Sequence, residues 1–164
     1  MLKQQNMIAC VSVTALLSSL AFPFQRVTAQ RAADDGSVVI TLEPYVGRLV
    51  TVSATLRGEK LTLLLDTGGG QTLITPRAAA RIGCRPGGRS IGFRMTGERV
   101  VFARCGPVEL EIGGRTFARP GIAVWDVMAV LPKDLPPLDG LLALDAFAGQ
   151  PFTLQLAARM LTLE

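Results

Sequence analysis

The stretch Leu61-Thr62-Leu63-Leu64-Leu65 is almost wholly apolar, ends on a carboxylate, Asp66, and runs at once into Thr67-Gly68-Gly69-Gly70. An apolar run of this length bounded by turn residues predicts a strand inside a sheet, buried on both faces. The glycines after it predict an abrupt change of direction. Burial raises the free energy of an ionised carboxylate and pushes its pKa up, so a chain rarely sets an Asp there without a use for it. A lone Asp at a strand end is more often a turn or helix-cap residue. The wider pattern weighs against that reading, because Thr72 follows six residues after Asp66 and leads into Leu73-Ile74.

The chain contains no histidine. This removes Ser-His-Asp and Cys-His catalysis, histidine-bearing zinc sites and any imidazole base. Acid–base chemistry is left to carboxylates, Lys, Tyr or Cys. Of these, Asp66 alone sits in a context with a catalytic character. Neither a cofactor nor a metal is expected, since two cysteines without histidine make a poor zinc site and a poor catalytic pair.

The first 29 residues read as a signal peptide. Lys3 and the amino terminus form a weakly positive start, Met7 to Phe22 an apolar core, and Val27-Thr28-Ala29 a cleavage site after Ala29. The alternative is an uncleaved membrane anchor, although the run is short for a spanning helix and is broken by Pro23. Both readings place the rest of the chain outside the cytoplasm, periplasmic or secreted. With Lys3 and Arg26 gone from the 17 basic residues, the remaining 15 face 13 acids, a net charge of +2. The arginines at 77, 81, 85, 89, 94, 99 and 104 read as solvated faces, and one Tyr and one Trp supply no stacking platform. Nucleic-acid binding is not expected.

Two cysteines lie beyond residue 29, Cys84 and Cys105. In an oxidising compartment they can pair, closing a loop worth about 3 kcal/mol in the chain-entropy model. The other reading is two small buried residues.

Beyond a short polar arm (30–36), the chain reads as many short strands with glycine turns. Strands are expected at Val38–Leu42, Leu49–Leu56 and Leu61–Leu65, with Arg57 to Lys60 as a hairpin turn. Thr75-Pro76 opens a short helix closed by Gly83. Ser90–Phe93 and Arg99–Ala103 form a second hairpin around Met95-Thr96-Gly97. Val108–Ile112 and Thr116–Trp125, the latter broken at Pro120-Gly121, follow. A proline-rich loop over 128–138 precedes the apolar Leu138–Phe147 segment, and two strands, Phe152–Leu156 and Met160–Leu163, end the chain. The expectation is an all-β domain, a small closed or nearly closed barrel with one or two short helices. Residues 30–44 are taken as an arm with a first strand, and 45–164 as the domain proper.

Hydrolysis of a peptide by carboxylates needs two carboxyl groups sharing one proton, one acting as base on water and the other polarising the scissile carbonyl. The chain holds a single Asp-Thr-Gly. Its element order resembles that of the retropepsin-like aspartic proteases, most closely their exported single-domain bacterial members, over roughly residues 45–164. The resemblance implies an aspartic endopeptidase in which a symmetric homodimer supplies Asp66 twice. It further implies that Thr67 bonds across the dimer, that Gly68 permits the tight turn, and that Thr72 is the family's threonine. Met95-Thr96-Gly97 would tip a flap over a peptide or protein substrate. Leu141 and Leu142 would pack beneath the catalytic loop, with Asp145 opening a short helix. The chain departs from the family where Ala143 replaces a usual Gly and where Gly69-Gly70 replaces a usual Ala or Ser first position. The methyl of Ala143 is either accommodated or strains the loop. In the second case the protein is a non-cleaving module that binds a peptide or partner in its cleft. A structural protein sharing only the barrel is the third possibility.

Asp139 reads most simply as a turn residue before a strand. Asp145 reads as a helix cap or the partner of an Arg. Phe93, Met95 and Trp125 are candidate cleft walls, Trp125 equally an ordinary core residue.

Overall fold

The structure, a computed structural model, describes residues 36–94 and 96–164. The leader read at 1–29, nearly all of the polar arm and Met95 lie outside the described residues. Glycine-punctuated β-branched and leucine runs become strands throughout. The elements are β1 (Val38–Thr41), β2 (Glu43–Pro44), β3 (Val50–Leu56), β4 (Glu59–Asp66), β5 (Leu73–Ile74), α1 (Pro76–Arg81), β6 (Arg89–Phe93), β7 (Arg99–Cys105), β8 (Val108–Ile112), β9 (Arg115–Arg119), β10 (Ile122–Val124), β11 (Gly140–Ala143), β12 (Phe152–Gln155) and β13 (Met160–Leu163). The fold is all-β, as expected. A ten-stranded sheet ordered β6-β7-β10-β5-β11-β4-β3-β8-β9, with β2 on β3, curls into a half-barrel. A three-stranded sheet, β1-β13-β12, accompanies it.

The first hairpin is tighter than its sequence suggests. Only Arg57 and Gly58 turn, at φ of 51° and 80°, and the ladder already pairs Leu56 with Glu59. Positive φ at both central positions matches the right-handed twist of the flanking strands, so a two-residue turn suffices. Strand β4 also departs from the expected burial on both faces. Leu61, Leu63 and Leu65 are buried, whereas Thr62 is exposed and Leu64 half-buried. The large core covers one face of β3 and β4 only, and alternate residues point away from it.

Segment 38–44 belongs to the fold. Strand β1 pairs along its length with β13, β2 pairs β3, and Leu42 is buried between them. The principal core gathers Leu42, Val52, Leu56, Leu61, Leu63, Ile74, Leu110, Leu142, Phe147 and Leu161 among others. A smaller one, built on Leu73, Phe102, Ala123 and Val127, lies where the β6–β7 hairpin meets β5 and β10. The short helix forms as its signals predict. Thr75 caps it by accepting a hydrogen bond from the Ala78 N–H at 3.2 Å, Pro76 takes the first turn, and Gly83 leaves it at φ 64°.

Candidate active site

The sheet topology carries the site. Strand β11 lies between β4 and β5, parallel to β4, with Leu141 opposite Leu64, Leu142 opposite Leu65 and Ala143 opposite Asp66. This wedge is possible because Gly140 lacks a side chain. A Cβ there would stand 2.1 Å from the Leu73 carbonyl oxygen. The Asp139-Gly140 pair, read from sequence as a turn before a strand, bends the chain at Asp139 and enters β11 at Gly140, at a close backbone crossing. Beyond the end of β4, the chain from Thr67 to Gln71 loops out and returns as β5, which places Asp66 at the mouth of the loop.

Asp66 is half-buried. Its Oδ1 accepts a hydrogen bond from the Gly68 N–H at 3.1 Å, and its carbonyl accepts one from the Gly69 N–H at 3.3 Å. A carboxylate held by a backbone donor of its own turn is oriented before any ligand arrives. Thr67 and Gly68 are exposed beside it, and the Thr67 hydroxyl has no hydrogen-bond partner among the described residues.

Thr72 anchors the far end of the loop. It is buried, and its hydroxyl donates to Asp145 Oδ1 at 2.6 Å while accepting from the Ala143 N–H at 3.2 Å. Its own N–H donates to the same Asp145 oxygen at 2.9 Å. Arg119, at the end of β9, donates to Asp145 Oδ2 at 2.5 Å and also to the Asp145 carbonyl. Asp145 therefore pairs with an arginine of its own chain, and its side chain does not cap the 3-10 turn Leu144–Phe147 in which it lies. Arg119 was not among the residues singled out from the sequence. One basic residue among many carries no signal until the fold brings β9 to this turn.

A cleft of about 490 Å³ opens over Asp66. Gly68 to Gln71 line its floor, and Ile91, Gly92, Phe93, Val100 and Phe102 of the β6–β7 hairpin form one wall. Trp125, Val130 and Leu141 form the other side. Phe93 is 72% exposed, an apolar ring presented to the opening. Trp125 lines the cleft and meets Phe102 edge-on, with ring centroids 6.0 Å apart. Leu141 and Leu142 part company, since neighbouring strand residues point to opposite faces. Leu142 is wholly buried behind the loop, whereas Leu141 reaches the cleft. The hairpin tip carries Thr96 and Gly97, with Gly97 at φ 81° and Arg94 ion-paired to Glu98 at 2.9 Å.

Asp139 does more than turn the chain. It is buried, with Oδ1 2.7 Å from Arg81 Nη1 and Oδ2 accepting from the Thr62 N–H at 3.0 Å. Arg81 also donates to the Lys60 carbonyl. Arg81 is exposed, as expected, and α1 also sets it against β4 and the entry to β11. Cys84 and Cys105 are joined by a disulfide with Cα atoms 5.9 Å apart, tying the chain after α1 to the end of β7.

A family model described as aspartyl protease matches residues 52–146, from β3 through the Asp145 turn. No curated protein sequence matches the chain. Among solved structures, a retropepsin-like aspartic protease from Rickettsia conorii superposes with a TM-score of 0.52 at 18% identity, over 78% of this chain and 90% of that one. The retroviral protease-like domain of Ddi1 from Leishmania major gives 0.48 at 16% identity, over 71% and 85%. EIAV protease complexed with an inhibitor gives 0.46 at 20%, over 65% and 91%. The matched region holds Asp66, Thr72, the hairpin, β11 and Asp145, and the chain belongs to the aspartyl protease family, with a retropepsin-like fold.

Proposed function

We propose that the protein is an aspartic endopeptidase whose working form is a homodimer. The observation that carries this reading is the placement of Asp66. It sits on the floor of an apolar cleft, oriented by the Gly68 N–H, with the Thr67 hydroxyl beside it exposed and unpartnered among the described residues. One protomer supplies one such carboxylate. A two-fold axis through the loop brings a second within reach, and two carboxylates that close hold a single proton between them. The ionised member takes a proton from water as it attacks the scissile carbonyl. The protonated member polarises the carbonyl oxygen, and the proton returns to the leaving amine. Thr67 of each protomer fits a contact across the axis. The β6–β7 hairpin covers an extended peptide, with Thr96 and Gly97 at its tip, and the ring of Phe93 meets apolar side chains of the substrate. An exported location goes with this reading, because a disulfide persists in an oxidising compartment.

A second reading, a module that binds peptides without cleaving them, draws on Ala143, the buried residue opposite Asp66. Cleavage of a mixed peptide library by residues 30–164, wild type beside Asp66→Asn, decides between them when dimerisation is measured on the same samples. Cleavage is expected in the wild type and a loss on the order of 1,000-fold in kcat in the mutant, with the dimer retained. Binding without turnover in a folded wild-type dimer selects the second reading.

A further inference from the structure

Gly69 is a glycine for want of room. Its φ is not positive, so its backbone makes no demand that another residue would fail to meet. A Cβ at this position, however, would stand 2.8 Å from Asp66 Oδ2, 3.0 Å from Asp66 Cγ and 3.2 Å from the Ala143 Cβ. The first two distances are below or at the limit that real Cβ contacts reach, and the third is tight. Ala143 is wholly buried and pairs in register with Asp66. The space between the Asp66 carboxylate and β11 therefore holds one methyl group, and Ala143 provides it. A second methyl, on residue 69, would be squeezed from both sides. The carboxylate is the softer side, since the Ala143 Cβ is fixed to strand backbone.

We infer that Gly69 and Ala143 are a coupled positioning pair, whose combined bulk sets where the Asp66 carboxylate stands. The inference rests on Asp66 being the catalytic carboxylate. It answers whether the methyl of Ala143 strains the loop: the bare Gly69 opposite makes room for it. It also predicts that the methyl can change sides. With Ala143 reduced to glycine, a methyl on residue 69 can back away from Asp66 into the vacated space. Either single arrangement of one methyl leaves the carboxylate in place, and two methyls do not. Gly69 carries no reacting group of its own, so its effect passes through Asp66.

The test is a double-mutant cycle of wild type, Gly69→Ala, Ala143→Gly and the double variant, each on the full chain as purified. Kinetics on one cleaved peptide and the chemical shift of the Asp66 carboxyl carbon by NMR at one fixed pH are read on all four. Gly69→Ala is expected to lower kcat by up to about 100-fold with KM little changed, the scale of a carboxylate displaced by a fraction of an ångström to an ångström. The double variant is expected to recover at least about tenfold of that loss. The Asp66 carboxyl resonance should move in Gly69→Ala and return in the double variant. A structural role alone would lower stability without moving that resonance. Gly69→Ala equal to wild type, or a double variant as impaired as the two singles multiplied, overturns the inference. If Gly69→Ala does not fold and the double variant does, the coupling stands. If neither folds, the inference is overturned, because the vacated space gave no relief. A wild type that cleaves nothing defeats the protease reading, and the carboxyl resonances still decide the coupling.

Discussion

At the scale of single residues, the chemistry of this chain concentrates on a few oxygen atoms. The glycine-rich turn and the aspartate before it were legible because an acid at the end of an apolar strand is an unusual choice. The absence of histidine closed the common alternatives. The hydrogen bonds that hold the loop were less legible. Thr72 could be named by its spacing from Asp66, but its double engagement, with Asp145 and with the Ala143 N–H, depends on two segments 71 and 73 residues apart meeting. Thr72→Val keeps the shape and removes the hydroxyl, leaving the buried Ala143 N–H without its acceptor. We expect it to destabilise the fold by about 2 kcal/mol, the cost of an unsatisfied buried donor, and to lower kcat. Urea unfolding and peptide kinetics on the same protein check both. Thr72→Ser should keep most of each.

At the scale of elements, periodicity and turn chemistry located nearly every strand, and α1 began on its cap and its proline as the sequence dictated. The errors came where an element's neighbours decide the outcome. Leu64 is half-buried because the large core covers one face of β4, a matter of layers that a strand cannot encode by itself. Asp139-Gly140 turns the chain into β11 as its composition suggests, but the need for Gly140 in the approach of β11 to the Leu73 carbonyl is visible only in the fold. Arg81 is exposed, as its spacing suggests, and its contact with a buried carboxylate is what the sequence left unseen. The Cys84–Cys105 bridge belongs to this scale as well, fastening the base of the β6–β7 hairpin to the segment after α1. Replacing both cysteines by alanine should cost about 3 kcal/mol of stability. Faster amide exchange is expected in β6 and β7 than in β3 and β4, since the bridge anchors the former. Hydrogen exchange followed by mass spectrometry reads the difference, and uniform acceleration of all strands would argue against a local role.

At the scale of the molecule, one protomer presents half of the two-carboxylate machinery that the proposed reaction needs. Specific activity per protomer should therefore fall on dilution below the dimer dissociation constant and recover on reconcentration. Sedimentation velocity alongside initial rates tests this. Activity that stays proportional to protein concentration down to a monomeric sample would require a second acid within the chain. Asp139 and Asp145, the two acids flanking β11, are both already engaged with arginines. What the sequence determined by itself is the alphabet of this fold: strand lengths set by apolar periodicity, turns set by glycine and proline, a helix set by its cap, and an acid placed where burial is costly. These are local properties, governed by residues within a few positions of one another. The tertiary structure alone decided which face of β4 is covered and that Arg119 reaches Asp145. It also decided that one methyl, not two, fits beside Asp66. Those outcomes depend on close packing between segments distant in sequence, where tenths of an ångström decide and local pattern carries no information.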